Sequence, residues 1–151
     1  MSGFMSVSRT PSFDLRPVAD CLCLASRQAA RAITRRFDRA LRGQGLRITQ
    51  FSMLAVLSLK GPQPIGALAE ALGVERTTLT RNLGPVERDG LVAIRSDRDD
   101  ARARIVALTA KGQAALRAAF PSWQAAQAEI TAAIGALAAD RLRGLARKRS
   151  Y

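Results

Sequence analysis

The chain has 151 residues, enough for one domain of ordinary size with a buried core. Its 24 Lys+Arg against 12 Asp+Glu leave a net charge of +12, which favours a polyanionic partner, nucleic acid before an anionic membrane surface. The complete lack of histidine excludes His-based acid–base catalysis and the Ser-His and Cys-His nucleophile pairs, and removes the commonest zinc ligand.

In chain order, residues 1–15 are rich in Ser, Thr and Pro and read as a flexible arm. They contain no continuous apolar h-region, and no run in the chain reaches the roughly 18 apolar residues that span a bilayer. A cytoplasmic location without a membrane partner is therefore expected. From about Pro17 to Arg42 the pattern is helical, opened by the proline and closed by Gly43 and Gly45. A second helix fits Thr49 to Leu59, before Lys60-Gly61-Pro62. A third, short helix sets Ile65, Leu68, Ala69 and Leu72 on one face, and Gly73 stops it.

The stretch VERTTLTRNLGPVERDG (Val74–Gly90) follows, with three threonines and three arginines around few apolar residues. At about 100° per residue, Leu79, Leu83 and Val86 fall on one side of a helix from Arg76 to Arg88. Thr77, Arg81, Gly84 and Arg88 fall opposite, flanked by Thr78 and Thr80. Pro85 is expected to bend this helix. Next, LVAIR and RIVAL are β-branched-rich runs around the charged loop SDRDDARA, which predicts a hairpin. Thr109 is placed to cap a long helix through Ala128 or beyond, with a kink at Pro121. After Gly135 a last helix covers Ala136 to Lys148.

The fold class expected is mainly α with a small β-hairpin wing: a winged helix-turn-helix flanked by further helices. Its expected parts are the flexible arm at 1–15, an N-terminal helical segment at 16–48, the winged helix-turn-helix DNA-binding region at 49–109, and C-terminal helices at 110–151. The expected partner is double-stranded DNA. Arg76, Thr77, Thr78, Thr80, Arg81 and Arg88 would supply hydroxyls for phosphates and a guanidinium fork for guanine edges. Arg98, Arg102 and Arg104 belong to the wing, where an arginine enters a narrow minor groove and neighbouring acids hold its fork. The bland alternative is a solvated basic helix face and a solubilising loop whose ion pairs contribute little. An architectural DNA-binding protein and an enzyme are the competing classes. The latter lacks metal-ligand spacing and a phosphate-binding glycine loop, so neither catalysis, a metal nor a cofactor is expected.

The chain resembles the MarR family of winged helix-turn-helix regulators. The resemblance lies in QFSMLAVL (Gln50–Leu57), IGALAEALGVERTTLTRNL (Ile65–Leu83), ERDGLV (Glu87–Val92), and Asp100, Arg102, Leu108 and Thr109, followed by Lys111-Gly112. It implies a homodimer whose helical dimerisation region is the N-terminal helix at 16–48 and the C-terminal helices at 110–151. Each protomer would place a recognition helix in the major groove and a wing in the minor groove of a pseudo-palindromic operator, with release by a small-molecule effector or an oxidant. Two positions depart from the family pattern. Glu75 stands where Asp or Ser would cap the recognition helix, and Ala101 interrupts the Asp-Arg-Arg of the wing.

Candidate sensing residues are Cys21, Cys23, Arg27 and Arg31. Cys23 lies where organic-hydroperoxide sensors of this family, which the chain resembles only locally, carry a reactive thiol. Two helical residues two apart point about 200° from each other, which argues against a Cys21–Cys23 bridge. Arg27, Arg31 and Arg35 recur at i, i+4, a spacing suited to an anionic ligand or to a solvated basic face.

Overall fold

A computed structural model describes residues 13–148. It divides into two compact units, one ending at Ile33 and one beginning at Thr34. The first holds a 3-10 turn, Arg16–Asp20, and the start of helix α1 (Leu22–Leu41). Its Arg16 guanidinium bonds Asp14 at 2.9 and 3.0 Å, which holds that exposed carboxyl below its ordinary range. The continuous helix expected from Pro17 is therefore broken. Cys21 takes an extended backbone (φ −62°, ψ 117°) between the 3-10 turn and α1. Pro17 favours a helical start, but nothing in the spacing marks the break.

The second unit contains the rest of the chain. Helix α2 (Ile48–Lys60) is followed by the two-residue strand β1 (Gln63–Pro64), α3 (Ile65–Leu72) and α4 (Arg76–Arg88). Strands β2 (Val92–Ser96) and β3 (Arg104–Leu108) precede the long α5 (Ala110–Ile134) and α6 (Ala136–Arg147). The sheet is antiparallel, in the order β1-β3-β2, with Ser96 opposite Arg104 and Val92 opposite Leu108. The third strand is an addition to the expected hairpin. Gln63 and Pro64 pair with Val106 and Ile105, and the proline is tolerated because β1 is an edge.

Local chemistry explains the helix starts. Ile48 donates its N–H to Asp38 Oδ1 at 2.8 Å, and Arg47 N–H reaches Gln50 Oε1 at 3.0 Å. These bonds satisfy donors that the first turn of α2 leaves free, and α2 begins one residue earlier than its pattern suggests. Gly73 ends α3 in the left-handed conformation (φ 66°), where its N–H returns to the carbonyls of Ala69 and Glu70.

The core lies among α2, α3, α4, the sheet and α5. Leu54, Leu57, Leu68, Leu79, Leu83, Val86 and Val106 are buried in one cluster. Trp123 of α5 stacks on Phe51 of α2, ring centres 5.6 Å apart. Neither internal proline ends its helix: α4 continues past Pro85 and α5 past Pro121. Each removes one backbone donor, and both rings lie on exposed positions where the freed carbonyl can meet water.

Candidate nucleic-acid interface

The interface is built from the buried side of α4 outward. Leu79, Leu83 and Val86 are 1%, 2% and 0% exposed and fix the rotation of the helix against the core. That rotation leaves Arg76, Thr77, Thr80, Arg81, Gly84 and Arg88 exposed, with Thr78 half-buried at the margin. A Cβ built on Gly84 meets nothing within 4 Å, so at that point the backbone itself forms the outer surface. Glu75 occupies the N-cap with extended geometry (φ −65°, ψ 145°) and its side chain makes no capping bond. The helix nonetheless starts at Arg76, with Leu79 N–H bonded to the Glu75 carbonyl at 3.0 Å. The departure at Glu75 thus leaves the position of the first turn unchanged.

One hydroxyl differs from the others. Thr80 Oγ1 donates to the Arg76 carbonyl at 2.9 Å, within the helix. Its proton is committed, so a phosphate would have to displace that bond to be held by it. Among the described residues, Thr77 and Thr78 make no such side-chain bond, and their hydroxyl protons face no internal competitor.

In the wing, Arg98, Arg102 and Arg104 are all exposed. The expectation that neighbouring acids hold the arginine forks is corrected. Asp97 Oδ1 accepts from Asp99 N–H and Asp100 Oδ1 from Arg102 N–H, both at 2.9 Å. Asp97 N–H and Ala103 N–H close the loop through backbone carbonyls, again at 2.9 Å. These carboxylates build turns because the donor two residues on is the nearest one and its bond costs no long side chain its freedom. The ion pairs among the described residues are Arg16–Asp14, Arg36–Glu129 and Arg143–Asp140, none of them in the wing. The three wing guanidinium groups are left facing solvent.

Thr109, Lys111 and Gly112 join the interface to α5, a role the residue pattern suggested only as far as the Thr109 cap. Thr109 Oγ1 accepts from Gly112 N–H at 3.0 Å, donates to the Gly90 carbonyl at 2.6 Å and lies 3.0 Å from that of Leu91. Lys111 Nζ donates to the Asp89 carbonyl at 2.7 Å, just beyond the negative end of α4. A Cβ on Gly112 would stand 2.0 Å from the Leu91 oxygen, so only glycine permits the approach. The end of α4 and the entry to β2 are thereby clamped to the first turn of α5.

A short helix, a glycine turn, a helix with a polar cationic outer face and a three-stranded wing together form a winged helix-turn-helix. The MarR family model matches residues 44–103, which span α2 to the wing. The crystal structure of the M. tuberculosis transcriptional regulator MosR in complex with DNA is 48% identical, with a TM-score of 0.75. The match covers 83% of this chain and 92% of that one. The chain belongs to the MarR family. It is accordingly a winged-helix transcriptional regulator of the DNA-binding kind. The transcriptional activatory protein BadR of Rhodopseudomonas palustris is 36% identical over 89 residues, 57% of this chain and 51% of that protein. This MarR-family chain thus matches about half the length of that relative. Bordetella bronchiseptica BpsR, whose DNA binding is regulated by 6-hydroxynicotinic acid, shares the fold at 18% identity and a TM-score of 0.76. That match covers 91% of this chain and 96% of BpsR.

The sensing candidates lie in the first unit. Cys21 is half-buried and Cys23 exposed, both as free thiols. With Arg27 and Arg31 they line one open recess of about 490 Å³. Because Cys21 precedes α1, the helical angle of about 200° does not describe this pair, and the objection to a bridge based on it falls. Among the described residues no group of three or more His, Cys, Asp or Glu is arranged to hold a metal ion, and no helix is long and apolar enough to cross a membrane.

Proposed function

We propose that this MarR-family chain binds a pseudo-palindromic operator as a homodimer, represses transcription there, and is released by a small-molecule ligand. It is a cytoplasmic, non-catalytic protein without a cofactor. The observation that carries the reading is the division of α4 into a wholly buried apolar side and an exposed face of threonines and arginines. Arg81 reads a base edge in the major groove, while Arg76, Thr77, Thr78, Thr80 and Arg88 hold backbone and flanking positions. Arg98, Arg102 and Arg104 place the wing at the minor groove. Residues 49–109 constitute the DNA-binding region, preceded by an arm at 1–15. Segments 16–48 and 110–151 form the dimer. Supporting the dimer, apolar exposure concentrates in those segments: Val18, Leu22 and Leu24 in one, Ile134, Leu137, Leu142 and Leu145 in the other.

The test is fluorescence-anisotropy titration with DNA from upstream of the chain's own gene, against a scrambled fragment, at about 150 mM salt because affinity depends steeply on salt. A preference of about 10³-fold or more supports the regulator. Equal, weak binding to both, and to fragments selected from random DNA, would show an architectural protein instead. Half-site centres should lie about 10–10.5 base pairs apart or at a multiple of that spacing. Sedimentation of the wild type should give a dimer, and Leu137→Glu with Leu142→Glu a monomer. Repression rather than activation is read from the target transcript in a deletion strain, which should rise.

A second reading is favoured by the recess of the first unit, where exposed Cys23 shares a surface with Arg27 and Arg31. There a peroxide transfers one oxygen to the Cys23 thiol, giving a sulfenic acid and water or an alcohol, and DNA is released. In this reading Cys23→Ser binds the operator as wild type does but ignores peroxide. If Cys23→Ser is still released by peroxide, the recess is left to an anionic effector held by the two arginines.

A further inference from the structure

The outer face of α4 carries, side by side, the two residue types that a helix interior tolerates least. Gly84 and Pro85 both lie within Arg76–Arg88, and both are exposed. Packing explains neither. A Cβ on Gly84 would meet nothing within 4 Å, unlike one on Gly112. The Pro85 ring likewise stays outside the core that Leu83 and Val86 enter on either side of the pair. Local rules broken on an exposed face, with no gain in packing, point to function.

Pro85 has no N–H, so the carbonyl of Arg81, four residues earlier, has lost the donor that an α-helix would bring to it. The helix is bonded to either side of this gap: Leu79 N–H reaches the Glu75 carbonyl and Asp89 N–H that of Pro85, each at 3.0 Å. The freed oxygen lies among positions 81, 84 and 85, all of them exposed, and Gly84 sets no side chain over it. The arginines of the same face, Arg76, Arg81 and Arg88, have guanidinium groups that only donate.

We propose that the Arg81 carbonyl is itself a sequence-reading group, accepting a hydrogen bond from the exocyclic amino group of a cytosine or an adenine in the major groove. Cytosine N4 and adenine N6 are the donors which that groove presents, so an acceptor held against the base edges discriminates against guanine and thymine. A carboxylate would do the same with a negative charge set among phosphates, whereas the main-chain oxygen is neutral. Fixed in a helix, it also loses no rotamer freedom on binding. Arg81 thus reads twice, its guanidinium donating to one base and its carbonyl accepting from another. The inference rests on the reading of α4 as the helix that enters the operator.

The test begins with selection of a preferred duplex from random DNA by the full wild-type chain. In one half-site each adenine is then replaced in turn by purine and each cytosine by 2-pyrimidinone, which deletes only the amino group. Anisotropy titrations at about 150 mM salt should find one position where the deletion weakens wild-type binding about fivefold, and the analogue that does so names the base. Pro85→Ala returns the N–H and pairs the carbonyl within the helix. It should bind the unmodified duplex about fivefold more weakly, ignore the deletion at that one position, respond as wild type does elsewhere, and melt no lower than wild type. Gly84→Ala, which sets a methyl group beside the oxygen, should lose the same response, and Arg81→Ala, which keeps the carbonyl, should retain it. Equal responses of wild type and Pro85→Ala at every position would overturn the proposal. So would a loss spread evenly over all positions, a lower melting temperature in Pro85→Ala, a response kept in Gly84→Ala, or one lost in Arg81→Ala. A chain that selects no duplex at all would refute the operator reading as well; a preferred duplex read alike by wild type and Pro85→Ala would refute the carbonyl contact alone.

Discussion

The helix-turn-helix and the terminal helices use similar apolar residues to different ends. In α3 and α4, Leu68, Leu79, Leu83 and Val86 are at most 2% exposed, and the core they enter is completed within one chain. In α6 and its approach, Ile134, Leu137, Leu142 and Leu145 are between 41% and 66% exposed. Both regions are amphipathic, so periodicity alone does not distinguish them. The difference is what covers them: α4 packs on α3, the sheet and the core cluster, whereas Leu137, Leu142 and Leu145 of α6 stay exposed among the described residues. An amphipathic helix whose apolar side remains uncovered calls for a partner, and that is the physical argument for a dimer made by the chain's ends.

Leu83 belongs to the buried side of α4, 2% exposed, and its truncation should have the largest effect of the changes considered. Leu83→Ala should cost about 3 kcal/mol by removing buried methyl groups and leaving a cavity, read as a lower urea midpoint. An unchanged midpoint would mean that α4 does not rest on the core as described. Gly112→Ala comes next, at about 2 kcal/mol, because the Leu91 carbonyl must move aside for the new methyl group. Its DNA affinity should fall together with its melting temperature, since the clamp on the end of α4 is disturbed.

Arg81→Ala separates function from folding. The melting temperature should stay within about 1 °C, and operator binding should weaken by about 1–3 kcal/mol with relaxed specificity at one base position. Uniform weakening on every sequence would reassign Arg81 to a phosphate. The smallest effect is expected at Leu59, an isolated apolar side chain 86% exposed on α2. Leu59→Ser should change stability by no more than about 0.5 kcal/mol and leave the oligomeric state alone. If it abolished the dimer, the assignment of the interface to the terminal helices would fail.

Much of the architecture was legible because helical periods and glycine stops are local signals. Ile65 to Gly73 and Arg76 to Arg88 could be delimited from spacing alone, and the buried side of α4 followed from the positions of Leu79, Leu83 and Val86. The wing strands were legible from their β-branched runs to within one residue. Strand β1 was not, because Gln63-Pro64 has no strand character of its own and is extended by pairing with residues about 40 positions away. The break at Cys21 was also hidden, since a proline near the start of a helix is as compatible with a 3-10 turn as with an α-helix. At the candidate interface the residue types were readable, but not which donors were already engaged. Thr80 and the wing carboxylates form short internal bonds that a list of polar residues does not reveal.

By itself, the sequence determined the basic charge, the order of helices and wing, and the side of α4 that must be buried, because composition and period act within a few residues. Only the tertiary structure decided that Gly112 must pass beneath the Leu91 carbonyl and that Lys111 caps the end of α4. Those features depend on distances between segments remote in the chain, and such distances exist only once the core has brought the segments together.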